Sequence, residues 1–206
     1  MTRTQAPILL SPQYRILVRD HGSHEHFAYA GADLTLHIGA PAPWGPDEDG
    51  GMHLFLDPHN SPLRSEHGNA WQLFCDTDCG GEAFHRWAQD FAQLLMKALL
   101  EKGLCCVDLA DLRTLLHQGR GKRIIGWQGD WQDTDQLPQW LQSVTAEHAW
   151  VAVFAPPQQL SMQLYAMAGA RLEERLSEDA MLMVTGNLLD QAVPKMMMVV
   201  VKTGGP

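Results

Sequence analysis

Hydrophobic residues recur with period two over the first third of this chain, and at helical spacing or in unbroken runs thereafter. Residues 33–38 and 52–56 alternate polar and apolar, the pattern of strands with one buried face. Residues 14–18 and 70–75 are two further strand candidates. Between them, 40–51 and 57–62 are rich in proline, glycine, asparagine and aspartate and read as loops. This third is expected to be a small, mostly antiparallel sheet with long connections.

From residue 82 the period changes. Phe84, Trp87, Ala88, Phe91, Leu95, Ala98 and Leu99 recur at three and four, one apolar stripe through a helix over 82–102. Asp78 and Glu82 stand near its start and Lys97 and Lys102 near its end, as the helix dipole favours. Gly103 sits where a C-terminal cap glycine belongs. A second helix restarts over 108–117, with Leu109, Leu112 and Leu116 on one face. Asp108 and Asp111 fit an acidic capping box at its start. Then come a short strand at 123–125, a short helix at 136–144 with Pro138 in its first turn, and a buried strand at 149–155. A helix over 160–176 and nearly continuous apolar strands at 180–184 and 195–201 complete the chain. No internal repeat is visible. The natural division is a β-rich region 1–80, a connecting helix 81–103 and an α/β domain 104–206.

Composition narrows the function. The chain has 206 residues, 45% of them hydrophobic, and a net charge of −9. Such a balance argues against a nucleic-acid partner, and Arg120, Lys122 and Arg123 form only a short basic cluster. No apolar run approaches the ~20 residues that span a bilayer, and the N-terminal apolar stretch is too short for a signal peptide. Four cysteines, with Cys105 and Cys106 adjacent, make a poor disulfide framework and point to a reducing, cytoplasmic setting.

Seven of the ten histidines fall within residues 1–70. His21, His24 and His26, with Asp20 and Glu25, read as a solvated loop or as an open zinc site. Cys75 and Cys79 read as buried free thiols. Cys79, just before the long helix and six residues from His85, is also a candidate nucleophile without an orienting third group. Met181, Met183 and the methionines at 196–198 read as core. Trp127, Trp131 and Trp140 form either a recognition surface or partial core under a loop.

The stretch Gly103-Leu104-Cys105-Cys106-Val107-Asp108-Leu109-Ala110-Asp111-Leu112 resembles the acidic loop of FtsZ, the bacterial tubulin-like division protein, whose pattern is G-L-x-N-V-D-F-A-D-V. Arg113-Thr114, residues 119–126, Thr185-Gly186 and residues 199–204 resemble further motifs of that family, so the resemblance covers 82–204. It implies an FtsZ-like C-terminal α/β sandwich joined by a long helix to a small, mostly β N-terminal region. In the family, subunits stack head to tail and the acidic loop of one enters the GTP pocket of the next. Its two aspartates position the attacking water. The resemblance gives that role, in trans only, to Asp108 and Asp111, and the docking surface to Gly103, Leu104, Cys106 and Val107. Cys106 replaces the family's loop asparagine.

The glycine-rich phosphate loops of the family have no counterpart here: the first strand is followed by Asp20-His21-Gly22-Ser23-His24-Glu25-His26. No GTP held by this chain alone, and no other cofactor or metal, is therefore expected. The expected partner is a tubulin- or FtsZ-like subunit, with a homo-oligomer as a further option. The function that follows is a non-GTP-binding protein that caps or regulates a tubulin-like filament, short of enzyme activity of its own. The rival is a metal- or small-molecule-binding enzyme using the histidine-rich N-terminal region.

Overall fold

A computed structural model describes residues 14–22, 31–41, 50–65, 68–101, 103–105, 107–131, 141, 145–191 and 193–203. Its strands are β1 (Ile16–Asp20), β2 (Leu34–Ile38), β3 (Met52–Asp57), β4 (Ala70–Cys75), β5 (Ile124–Asp130), β6 (Ala146–Ala155), β7 (Leu176–Leu188) and β8 (Lys195–Lys202). Its helices are α1 (Gly81–Leu100), α2 (Leu109–Gln118) and α3 (Met162–Glu173). The expected helix at 136–144 lies outside the described residues except for Leu141.

All eight strands join one sheet, in the order β1-β2-β3-β4-β5-β8-β6-β7. The first five run parallel to one another, as do β6 and β7, and β8 lies antiparallel between β5 and β6. The antiparallel arrangement expected for residues 14–75 is therefore corrected. The connections show why: 21–33, 39–51 and 58–69 hold thirteen, thirteen and twelve residues. A tight hairpin needs two to five, whereas a parallel crossover needs a dozen or more. The pairing also reveals a structural repeat that residue identities conceal. Ile16 pairs with Leu34 and Leu34 with Met52, eighteen residues apart each time.

The two faces differ in chemistry. Leu34, Leu36, Ile38, Leu54, Leu56, Leu73, Trp150, Phe154 and Val199 point to one side, where the stripes of α1 and α2 cover them. On the other side Ala149, Val151, Val153, Met198 and Val200 meet Ala168 and Leu172 of α3. β6 and β8 thus bury both faces, which explains their unbroken apolar runs. Trp127 and Trp131 pack partly buried against this second core. Trp140 lies outside the described residues.

The joint expected at 81–103 is not evident. α1 lies on the sheet, meeting β2, β4, β5, β8 and β7. Twenty residues at 1.5 Å rise make a helix about 30 Å long. β2 and β7 stand six strand spacings apart, about 29 Å. The helix is as long as the sheet is wide between those strands. Phe91, midway along it and fully buried, reaches β5, where a Cβ on Gly126 would stand 3.0 Å from its ring.

Phe91→Ala should cost about 3–5 kcal/mol, the usual penalty for removing a fully buried aromatic ring. Met162→Ala, at a position 62% exposed, should stay within about 0.5 kcal/mol. Urea unfolding of the two variants checks the contrast.

Candidate functional site

α1 ends at Leu100, and the chain then turns along β7. Glu101 is the C-cap, in extended conformation, and its N–H donates to the Lys97 carbonyl at 3.0 Å. Gly103 is not the left-handed cap that its position suggested, since it is absent from the glycines with positive φ. Its smallness serves close approach: a Cβ there would stand 2.3 Å from the Gly186 carbonyl oxygen. That contact lets the Leu104 N–H donate to Gly186 O at 2.7 Å. The neighbours of Gly186 complete the seam. Asn187 Nδ2 donates to Glu101 O at 3.2 Å, and the Thr185 hydroxyl donates to Cys105 O. Thr185 and Asn187 are fully buried, so these bonds also satisfy polar groups that would otherwise be costly to bury. The neighbouring Cys105 thiol, with burial, pushes the phenol of Tyr165 on α3 up to about 12.

The loop then enters α2 through the expected capping box. Asp108 Oδ1 accepts from Ala110 N–H at 2.7 Å and Asp111 N–H at 3.0 Å. Asp111 Oδ2 accepts from Asp108 N–H at 3.0 Å. The second oxygen of each carboxylate takes no part in the box. Asp108 is exposed and Asp111 half-buried.

The residues that sequence brought forward therefore divide. Leu104 is exposed and apolar on the outer side of the loop, 46% accessible. Gly103 is half-buried against β7. Val107 is buried in the core shared by α1 and α2, so its side chain anchors the loop from below. Cys106 lies outside the described residues. Of the two side chains that hold the loop, Thr185 was noted only as part of a family-like motif and Asn187 was not singled out from sequence. Two polar residues in an apolar strand were the available signal.

A second constellation lies on the face of β1–β4 opposite α1. Thr35, His37, His53 and Asp57 point there, and all are buried. The alternation in β2 and β3 thus marks an apolar face and a polar face, both covered, and the expectation of half-exposed strands is corrected. The imidazoles form a ladder. His21 Nε2 lies 3.2 Å from His37 Nδ1, and His37 Nε2 lies 3.1 Å from His53 Nδ1. With neutral rings, each link needs one proton, so all three rings must adopt the same tautomer. His37 also stacks on Phe55, ring centroids 4.7 Å apart, and Arg64 lies 4.5 Å over the same ring. Arg64 grips Asp57 with two bonds, at 2.7 and 2.8 Å, and Gln72 donates to the same carboxylate at 2.8 Å.

The ladder is a line, not a convergent set of ligands. Among the described residues no group of three His, Cys, Asp or Glu side chains is arranged to hold a metal ion. His24, Glu25 and His26 lie outside those residues. Cys79 and His85 have different partners: Cys79 faces Cys75, and His85 Nδ1 lies 3.5 Å from Asp20 Oδ1. Where β2 and β3 end, an open cleft of about 360 Å³ lies between Asp57, Ser61, Arg64, Phe84 and His85. No described helix is long and apolar enough to cross a membrane.

No family model and no curated protein matches the sequence. Solved structures do match. A point mutant of FtsZ from M. jannaschii is 12% identical, with a TM-score of 0.58 over 82% of this chain and 65% of that one. An empty FtsZ dimer from M. jannaschii is 12% identical, with a TM-score of 0.57 over 82% and 63%. CetZ from Methanosaeta thermophila is 14% identical, with a TM-score of 0.52 over 85% and 62%. The chain spans less than two thirds of each of these proteins. At such identity the likeness is one of fold: an FtsZ- or tubulin-like α/β structure, over a larger share of the chain than the part after residue 81.

Two outcomes follow from the geometry. Asp108→Ala should lower stability by about 1 kcal/mol, the usual value of an N-cap, read from urea unfolding at neutral pH. His37 behaves differently. Burial first, then His53, His21, Arg19 and Arg64, lower it from an ordinary 6.5 to about 3. The folded chain keeps this ring neutral while the unfolded chain protonates it below 6.5. Its contribution is complete above pH 6.5 and is lost as the pH falls toward 3. Unfolding midpoints should drop across that window, and His37→Phe should flatten the drop.

Proposed function

We propose that this chain is a tubulin-like docking protein, one that binds a tubulin- or FtsZ-like subunit through the 103–111 loop and holds no GTP itself. The observation that supports this most is the manner in which the loop is held. Bonds from Leu104, Thr185 and Asn187 fix its backbone to β7, and the capping box fixes its far end. What then faces outward is Leu104 and the Asp108 carboxylate. A preordered loop loses little entropy on binding. An apolar side chain beside a carboxylate suits insertion into a neighbour's polar pocket. Asp108 and Asp111 would act there in trans, on a nucleotide that the partner holds. The sequence supports the absence of GTP, because no glycine-rich turn links a strand to a helix with phosphate-loop spacing. A subunit with a docking loop and no nucleotide of its own would end or shorten a filament.

A second reading, a small molecule or metal in the histidine-rich N-terminal region, draws on the cleft beside Arg64 and His85. Strand ends of parallel sheets are common ligand positions. Stoichiometric zinc in the purified protein, lost on His24→Ala, would favour it.

Purified chain should bind no GTP in a titration and should change the sedimentation or the GTPase rate of an FtsZ-like partner. Leu104→Asp should abolish that change and leave the fold intact, as the side chain is exposed. Tight GTP binding by the chain alone, or no effect on the partner at several-fold excess, overturns the reading.

A further inference from the structure

Cys75 closes β4, and Cys79 stands just before the N-cap of α1. Both thiols are free, and their sulfur atoms are 3.3 Å apart. A disulfide bond is about 2.05 Å long, so only a small approach separates this pair from a bond. The short turn between them keeps the two thiols facing. The Cys79 N–H donates to Thr77 O at 2.9 Å, and the Thr77 hydroxyl lies 3.8 Å from Cys75 Sγ. From the neighbouring strand end His59 Nδ1 donates to the Cys75 carbonyl at 3.0 Å, which fixes the first residue of the turn.

We propose that Cys75 and Cys79 are a reversible oxidation site, which closes to an intramolecular disulfide when the chain meets hydrogen peroxide. The two thiols are unequal, and the inequality sets the order of events. Cys79 is partly exposed, whereas Cys75 is fully buried. Burial above all pushes the Cys75 thiol up to about 12. Cys79, the partly exposed member of the pair, is therefore the group that meets the oxidant. Its sulfur attacks one peroxide oxygen. An S–O bond forms, the O–O bond breaks, and the departing oxygen leaves as water after taking up a proton. Cys79 is then a sulfenic acid. The Cys75 sulfur attacks the Cys79 sulfur. An S–S bond forms, the S–O bond breaks, and the hydroxide leaves as a second water with the Cys75 proton. Two thiols lose two electrons and the hydrogen peroxide gains them.

The bond would sit beside the cleft described above. Gly81, Phe84 and His85 line that cleft and follow Cys79 directly in the chain. Closure would tie the first turn of α1 to the end of β4, so oxidation would tighten the entrance to that helix. Cys105 lies in the loop held to β7, where its carbonyl accepts from Thr185. This inference does not depend on the docking role, and either can fail alone.

The test uses the full chain, reduced and then exposed to one equivalent of hydrogen peroxide. Remaining thiols are alkylated and the chain is digested. The peptide holding both cysteines should lose two hydrogens and escape alkylation at both positions, and dithiothreitol should restore both. Cys75→Ser should leave Cys79 as a sulfenic acid that dimedone traps. Cys79→Ser should leave Cys75 unoxidised at the same dose. Cys75 is buried and its variant is exposed to misfolding, so the map of the unaltered chain decides. Alkylation at both positions after peroxide overturns the proposal. So does sulfinic acid at Cys79 beside an intact Cys75 thiol, or pairing of either with Cys105.

Discussion

The rest of this structure depends on one long contact: α1 laid across one face of an eight-stranded sheet. Its apolar stripe covers strands from β2 to β7, and its length of about 30 Å matches the distance between them. Its two ends are therefore held by opposite sides of the sheet. At the first end His85 Nδ1 lies 3.5 Å from Asp20 Oδ1, at the end of β1. At the other end Glu101 meets Asn187, near the end of β7. Both regions with candidate chemistry lie where α1 stops. The cleft opens near its start and the acidic loop leaves from its finish. The helix lies along a single sheet. It sets the spacing between two places on that sheet.

The sheet carries an unusual burden on its other face. β2 and β3 place histidine, threonine and aspartate there, and these are covered. A buried polar group without a partner costs about 1–3 kcal/mol, so such a face has to be bonded throughout. The imidazole ladder and the Asp57–Arg64–Gln72 cluster supply much of that bonding. Over this part of the sheet the segment 58–65 supplies the Arg64 guanidinium and the Pro62 carbonyl as cover. In the C-terminal half α3 and an apolar core do the same work. One sheet thus has two kinds of second face, one polar and one apolar.

Much of this was legible in the residues. The stripe of α1 and the box formed by Asp108 and Asp111 are local features, fixed by neighbours in sequence, and both were read correctly. The strands β2, β3 and β4 were also found, since period two is a local signal. Their direction was misread, because direction belongs to the connections and not to the strands. Loop lengths of twelve and thirteen residues held the information. The role of Gly103 was misread for a related reason. A glycine after a helix suggests a cap, but this one is small because Gly186, more than eighty positions later, passes close by. The histidine ladder was invisible in the local cluster 21–26. It emerges only when His37 and His53 are set on neighbouring strands and His21 just past the end of the next one, each sixteen positions from the next. Long-range register is what a single sequence states least plainly.

If α1 ties the sheet together and delivers a preordered loop to β7, the Leu104 amide is the place to look, because its only role is to hold that seam. Native-state hydrogen exchange would measure its opening free energy beside those of α1 and of β1–β4. The account predicts that Leu104 is protected to a level near that of α1, and that β1–β4 open together with β5–β8 as one unit. A freely exchanging Leu104 amide, or a sheet that opens in two separate steps divided near residue 80, would contradict it.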